Sequence, residues 1–292
     1  MHHAKITKPG ILTSHRYWIM ALALVLFLPP LSFLFQLTGD SNFCGTWCPR
    51  MFFVWRRGTS LDAYFMGYLR SFMGTALVSG ILISTFFFGR YWCSHLCPVG
   101  GSMELGSRIV PKFLKINFAK VPAVPLRYGY LSVYFGAAAL GIGSLCCGYC
   151  NFAAIPRLFG APFSGADLAY FLRAAGLINL GLVLFLGILA KGGRAYCNLL
   201  CPIGALDALS NRIGERWGRR MTVTAAKCTG CGQCVNQCPT WAIDMIKGTA
   251  RIDALACMPC GACETACPSR AIGYRTSDAH FAPKVKTIYE EA

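Results

Sequence analysis

Charge is what this chain has least of. Asp, Glu, Lys and Arg make up 14% of its 292 residues, and only 12 residues are acidic. Soluble domains carry roughly 25% charged residues, so a wholly water-exposed globule is excluded. The 55% hydrophobic content and a mean hydropathy of +0.47 agree. Histidine is also scarce. The five are His2, His3, His15, His95 and His280, none lies in a long apolar run, and no C-x-x-C-H occurs. That excludes a bis-histidine haem within a bilayer and a covalently attached one, so no haem is expected. Two things are abundant: 17 cysteines, and 28 Lys and Arg that bring the formal charge to +16. So many cysteines exclude a bland transporter or structural scaffold.

Four apolar runs approach the roughly 20 residues that cross a bilayer as helix. They are 17–37, 71–88, 128–145 and 174–190. The second and fourth extend past Arg70 and Arg173, whose side chains can snorkel to the interface or serve a quinone carbonyl or a cluster's charge. The first run is too long for a signal-peptide core and lacks an A-x-A site, so it is expected to stay uncleaved. Pro29 and Pro30 predict a kink in it. Segments 1–16, 89–127 and 191–227 carry sixteen Lys and Arg, against six in 39–70 and 146–173. This positive-inside asymmetry places both termini in the cytoplasm and the chain, multi-pass, among the lipids of a bacterial inner (cytoplasmic) membrane. It also accounts for the basic surplus without nucleic acid as a partner.

The membrane part repeats itself. GRYWCSHLCPVG at 89–100 matches GRAYCNLLCPIG at 193–204, an offset of 104, and Cys44-x3-Cys48 matches Cys146-x3-Cys150. Each half reads span, outer CxxxC, span, inner CxxxCP, which makes a parallel repeat about an axis along the membrane normal. The expected fold class is therefore membrane α-helical, with four transmembrane helices in two parallel repeats and a small α+β two-cluster ferredoxin domain. The boundaries are 1–118 for the first repeat, 119–220 for the second, 221–275 for the ferredoxin domain and 276–292 for a tail.

The strongest signal lies in the last third. Cys228-x2-Cys231-x2-Cys234-x3-Cys238-Pro239 is followed by Cys257-x2-Cys260-x2-Cys263-x3-Cys267-Pro268. In this two-cubane spacing each fourth cysteine crosses to the other cluster. One [4Fe–4S] cluster takes Cys228, Cys231, Cys234 and Cys267; the other takes Cys257, Cys260, Cys263 and Cys238. Zinc sites rarely double this triple-plus-one spacing.

The CxxxC pairs leave more open. A single pair supplies two thiolates, whereas an all-cysteine cubane needs four. Cys93, Cys97, Cys197 and Cys201 can therefore share one inner centre across the repeats, or remain reduced structural thiols. Cys44, Cys48, Cys146, Cys147 and Cys150 can form an outer cluster or, on an oxidising face, disulfides. Quinol oxidation would also release protons, and the bases nearest the inner motifs are His95, Glu104 and Asp207. For His95 the plainer reading is a hydrogen-bonded interfacial histidine.

The two inner CxxxCP motifs, 93–98 and 197–202, together with the tandem ferredoxin motifs, resemble the NapH-type membrane polyferredoxins, relatives of NosR and CcoG. The resemblance covers about residues 10–275. It implies a membrane subunit of a quinol dehydrogenase that draws on the quinone pool and works with a NapG-like ferredoxin or periplasmic redox partner. The chain lacks the flavin domain of NosR, and Ser164 to Asp167 offers no threonine for flavin attachment. A CcoG-like maintenance reductase is the alternative within redox chemistry. An Fe–S sensor or assembly scaffold is the alternative outside it.

Overall fold

A computed structural model describes residues 15–27, 72–139, 150–163 and 165–276. Among the described residues the elements up to residue 216 are helical, and strands appear only after it. Helix α1 (Arg16–Phe27), α2 (Phe72–Phe88) and α4 (Ala123–Ala139) fall on the first three apolar runs. The remainder of the first and third runs lies outside the described residues. These helices are apolar on their outer faces too, with Trp18, Leu22, Ile83, Phe87 and Val133 all exposed. A water-facing surface helix would carry polar residues there.

The fourth run folds as α7 (Ala174–Val183), continued by a π-turn at Leu184–Ile188. It meets α6 (Gly165–Phe171) at an 82° bend, and Arg173 sits at that bend as the N-cap of α7. Among the described residues no single helix is long and apolar enough to cross a membrane, although this bent pair passes the same test jointly. Between them α5 (Asn151–Gly160) packs Ile155 into one apolar cluster with Val99, Met103, Val183 and Tyr196.

Both CxxxCP motifs build the same corner. In the first repeat a π-turn (Trp92–Leu96) leads through Cys97 into α3 (Pro98–Ile109). In the second, α8 (Ala195–Leu199) leads through Cys201 into α9 (Pro202–Ile213). Proline at the first helical position already has the helical φ and forfeits only an N–H that would be unpaired there. The preceding cysteine becomes the N-cap, with φ/ψ of −66/113° at Cys97 and −68/116° at Cys201. The sequence repeat is thus a backbone repeat.

The C-terminal unit has its own internal symmetry. Strand β1 (Arg219–Val223) pairs antiparallel with β4 (Ile272–Thr276), and β2 (Ile243–Ile246) with β3 (Thr249–Ile252). Lys247 and Gly248 join β2 to β3 with φ of 50° and 76°, the two-residue turn whose twist suits a hairpin. Short helices α10 (Gln233–Gln237) and α11 (Ala262–Ala266) carry the middle of each cysteine motif. In its core Ala242, Ala250 and Ala271 pack with Cys234, Cys238, Cys263 and Cys267, and with the larger Met221, Ile243 and Ile272.

Candidate iron–sulfur sites

The two ferredoxin motifs close as their spacing requires. Cys228, Cys231, Cys234 and Cys267 line one pocket, walled by Met245, Ala250 and Ile272. That is the crossed set, three ligands from one motif and the fourth from the other. In the second set Cys238, Cys260 and Cys263 are buried and Cys257 is half-buried, its thiol close enough to those of Cys238 and Cys260 to act on them electrostatically. The fourth cysteines have matching surroundings. Ala242 N–H donates to Cys238 Sγ and Ala271 N–H to Cys267 Sγ, both at 3.3 Å, and the Thr240 and Ser269 hydroxyls stand 3.6 and 3.5 Å from the same sulfurs. Burial pushes the Cys267 thiol up, but the Ser269 hydroxyl and the Ala271 amide outweigh it and hold it low. Donors aimed at sulfur stabilise thiolate and raise a cluster's potential.

The inner cysteines of the two repeats converge. Cys93 and Cys197 pack in one buried cluster with Met258, which stands between the cluster ligands Cys257 and Cys260. Burial, then Cys197, pushes the Cys97 thiol to about 11 against the Gly100 amide. The same two causes push Cys201 to about 12 against the Gly204 amide, whose N–H lies 3.3 Å from the Cys201 sulfur. Each sulfur therefore sits on a helix N-terminus whose amides and dipole favour negative charge. No group of His, Cys, Asp or Glu among the described residues closes around a single metal ion. The ferredoxin cysteines share that property, as thiolates spaced around a four-iron core should.

What surrounds these cysteines was not expected. Arg16, Arg90, Arg127 and Arg194 are each at most 2% exposed, with only Glu104 and Asp207 as buried carboxylates beside them. Arg90 of the first repeat meets Asp207 of the second at 3.0 Å, and Arg194 of the second meets Glu104 of the first at 2.7 Å. Arg16 joins Glu104 at 2.5 Å. Arg90 and Arg127 both donate to the carbonyl of Leu255, at 3.2 and 2.7 Å, just before Cys257. Two guanidiniums on one carbonyl repel each other unless an anion offsets them. A thiolate-bound cluster on Cys257 or on the inner cysteines supplies that anion, so the residues fit the group.

Two neighbouring asparagines also dock the ferredoxin domain. Asn198 Nδ2 donates to Thr240 O at 3.0 Å, and Asn211 Nδ2 to Ala254 O at 2.5 Å. Gly192, at φ of 83°, leaves no room for a β-carbon against Pro239.

Glu104 and Asp207, the candidate proton acceptors, are both engaged in ion pairs. Burial alone would raise the Glu104 carboxyl; the Arg194 and Arg16 guanidiniums outweigh it and hold it below the usual range. Asp207 also accepts from Thr85 and from the Cys93 thiol. His95 is buried, 2.6 Å from Ser94 Oγ through Nδ1 and stacked on Tyr91 with centroids 3.9 Å apart. Arg173 is exposed. Arg70, Cys44, Cys48, Cys146 and Cys147 lie outside the described residues. Cys150 is the N-cap of α5, and burial, Cys201 and Cys150, in that order, push up the phenol of Tyr196. The buried arginines and Met258 escaped sequence reasoning, though the Gly-Arg opening each inner motif was visible in the repeat.

Known families agree with this geometry. A 4Fe-4S binding domain matches residues 71–117 and again 172–220, one match per inner motif, and a 4Fe-4S dicluster domain matches 227–272. The methylamine utilization ferredoxin-type protein MauN of Methylobacillus flagellatus is 31% identical over 56% of this chain and 54% of its own length. MauN of Paracoccus denitrificans is 26% identical over 81% of both chains. The ferredoxin-type protein NapH of Escherichia coli is 27% identical over 56% of this chain and 54% of its own. The chain thus spans about half the length of the first of these relatives. No solved structure matches. Fold and sites define an Fe–S electron-transfer protein of ferredoxin type. Within that class the chain is similar to the ferredoxin-type proteins NapH and MauN.

Proposed function

We propose that this chain is the membrane-bound subunit of a quinol-oxidising respiratory assembly and carries three [4Fe–4S] clusters. Two belong to the ferredoxin domain, and the third is held by Cys93, Cys97, Cys197 and Cys201 across the repeat boundary. The observation that carries the reading is the packing of Met258 on Cys93 and Cys197. It sets the inner cysteines directly against the loop that bears the second ferredoxin cluster, while Cys231 of the first is exposed to solvent. Bound clusters supply one-electron storage. The chain's own residues orient the ligands, exclude water and balance charge. The four apolar runs span the inner membrane, with both termini and the ferredoxin domain cytoplasmic and the quinone pool within reach of the apolar helices. A NapG-like ferredoxin is the partner that the NapH likeness suggests.

Anaerobic purification followed by iron quantitation tests this, with EPR before and after a menaquinol analogue. About twelve irons per chain, four for each cubane, and cluster reduction by the quinol are expected. About eight irons would remove the inner cluster, and three clusters that quinol cannot reduce would refute quinol oxidation.

A further inference from the structure

Arg16, Arg90, Arg127 and Arg194, each at most 2% exposed, are an expensive arrangement for a protein that needs only to fold. A fifth arginine, Arg220 at 6% exposed, is matched in charge by half-buried Asp253, which acts on Arg127. Charges are almost never fully buried without partners, and here four guanidiniums face two carboxylates. The surplus is two positive charges. A cubane core of about +2 held by four thiolates carries about −2, and about −3 after accepting one electron. A positive surrounding therefore offsets part of the inner centre's charge and favours its reduction.

The arrangement is crossed and repeated. Arg194 reaches from the second repeat into the first, where Nε pairs with Glu104 and Nη1 donates to the carbonyl of Cys93 at 2.6 Å. Arg90 reaches the other way, pairing with Asp207 and donating through Nη2 to the carbonyl of Gly204 at 3.1 Å. Two equivalent glycines make the space. A β-carbon at Gly100 would collide with Arg194 Nη1 and lie 3.4 Å from Cys197 Sγ. One at Gly204 would lie 3.2 Å from Cys201 Cβ and 3.3 Å from Arg90 Nη2. Each guanidinium is thus fixed beside a cysteine of the inner set by carbonyls of the turns that bear those cysteines. The cavity of the solvent-side ferredoxin set, by contrast, is lined by Thr229, Met245, Ala250, Ser269 and Ile272 without a cationic side chain.

We infer that Arg90 and Arg194 are positioning residues that set the charge of the inner four-cysteine centre and raise its potential above that of the solvent-side ferredoxin cubane. This rests on the third cluster proposed above. Buried charge acts through a low-dielectric medium that screens it little, and net charge is one of the settings of a cluster's potential. Electrons then collect at the inner centre, next to the apolar helices, and not at the exposed ferredoxin cubane.

The test is a potentiometric EPR titration of the full-length, cluster-loaded chain and three variants. Arg194→Gln should shift the inner centre's reduction equilibrium at least tenfold toward oxidised, which is 59 mV for one electron. Glu104→Gln removes a negative charge and should shift it at least tenfold the other way. Arg194→Lys keeps the charge and should stay within about threefold, while the solvent-side cubane stays unmoved throughout. If Arg194→Gln fails to hold the inner irons, the Glu104→Gln shift decides alone. An inner potential that is unmoved in Glu104→Gln, or that moves in the same direction in both glutamine variants, would overturn the inference. A wild-type chain with only two cubanes would instead refute the inner cluster itself.

Discussion

Adding one methyl group at residue 100 should damage this protein, whereas the same change at residue 129 should not. Both are helical glycines. The β-carbon of Gly129→Ala meets nothing within 4 Å, so the helix gains about 1 kcal/mol from alanine's better propensity. At Gly100 the new methyl would occupy the position of Arg194 Nη1 and approach Cζ to 3.0 Å. The guanidinium is the mobile end of its side chain, but it is buried and bonded on two sides. Yielding would break the 2.6 Å bond to the Cys93 carbonyl, a charge-assisted bond worth about 1.5–3 kcal/mol. Overpacking adds roughly 1–3 kcal/mol. The equivalent Gly204→Ala would meet backbone, the Cys197 carbonyl at 2.7 Å, which cannot swing aside. Thermal unfolding and iron content of the three alanine variants, in detergent and without oxygen, read the difference. Gly129→Ala should unfold slightly above the parent and keep its iron. Gly100→Ala and Gly204→Ala should unfold at lower temperature and lose up to four irons. Equal stability of Gly100→Ala and Gly129→Ala would refute the crossed-arginine packing.

The ligand assignments are testable one at a time. Cys231→Ser should cost about four irons and spare the rest; unchanged iron would reject the crossed ferredoxin set. Cys97→Ser and Cys201→Ser, in opposite repeats, should each lose the same four irons and the same EPR signal; separate losses would mean that the repeats do not share a centre. In iron-free protein, Cys97 and Cys201 titrate near 11 and 12, above the roughly 8.5 of a free thiol. Only thiolate reacts, so at pH 8 their alkylation should run at least about 100-fold below a free thiol's and climb tenfold per pH unit until pH nears 11. Mass-spectrometric mapping that finds either residue labelled as fast as the exposed Cys231 would contradict the burial. Reporter fusions after Ala292 should be active only with a cytoplasmic reporter.

How much of this was legible in the sequence depends on the range of the interaction. The ferredoxin ligand sets were readable because the motif writes its geometry in spacing: Cys267 lines the cavity of Cys228, Cys231 and Cys234 as the three-plus-one rule demands. The inner corners were readable as a repeat, since local rules of capping and proline act within a few residues and produced nearly equal dihedrals at Cys97 and Cys201. The partnerships were not readable. Glu104 and Asp207, read as proton acceptors by their closeness to the motifs, belong to Arg194 and Arg90 across gaps of 90 and 117 residues. Nothing in hydropathy or spacing encodes which carboxylate a distant arginine will find.

The arginines also change the meaning of the basic surplus. Lys and Arg counted along a membrane protein's loops report orientation, and that count treats every cation as one exposed to water or headgroups. Arg16, Arg90, Arg127 and Arg194 all contribute to the count, yet all four are buried. Removing them, and Arg220 at 6% exposed, takes the inner tally from sixteen to eleven against six on the other side, so the asymmetry behind the proposed orientation remains. Their burial beside cysteines gives them a second reason to be basic. A Gly-Arg whose arginine stands three residues before the first cysteine of CxxxCP, with a glycine two residues past the motif's proline, is therefore better read as one device. The glycine at 100 or 204 makes the space, and the arginine of the opposite repeat fills it with charge.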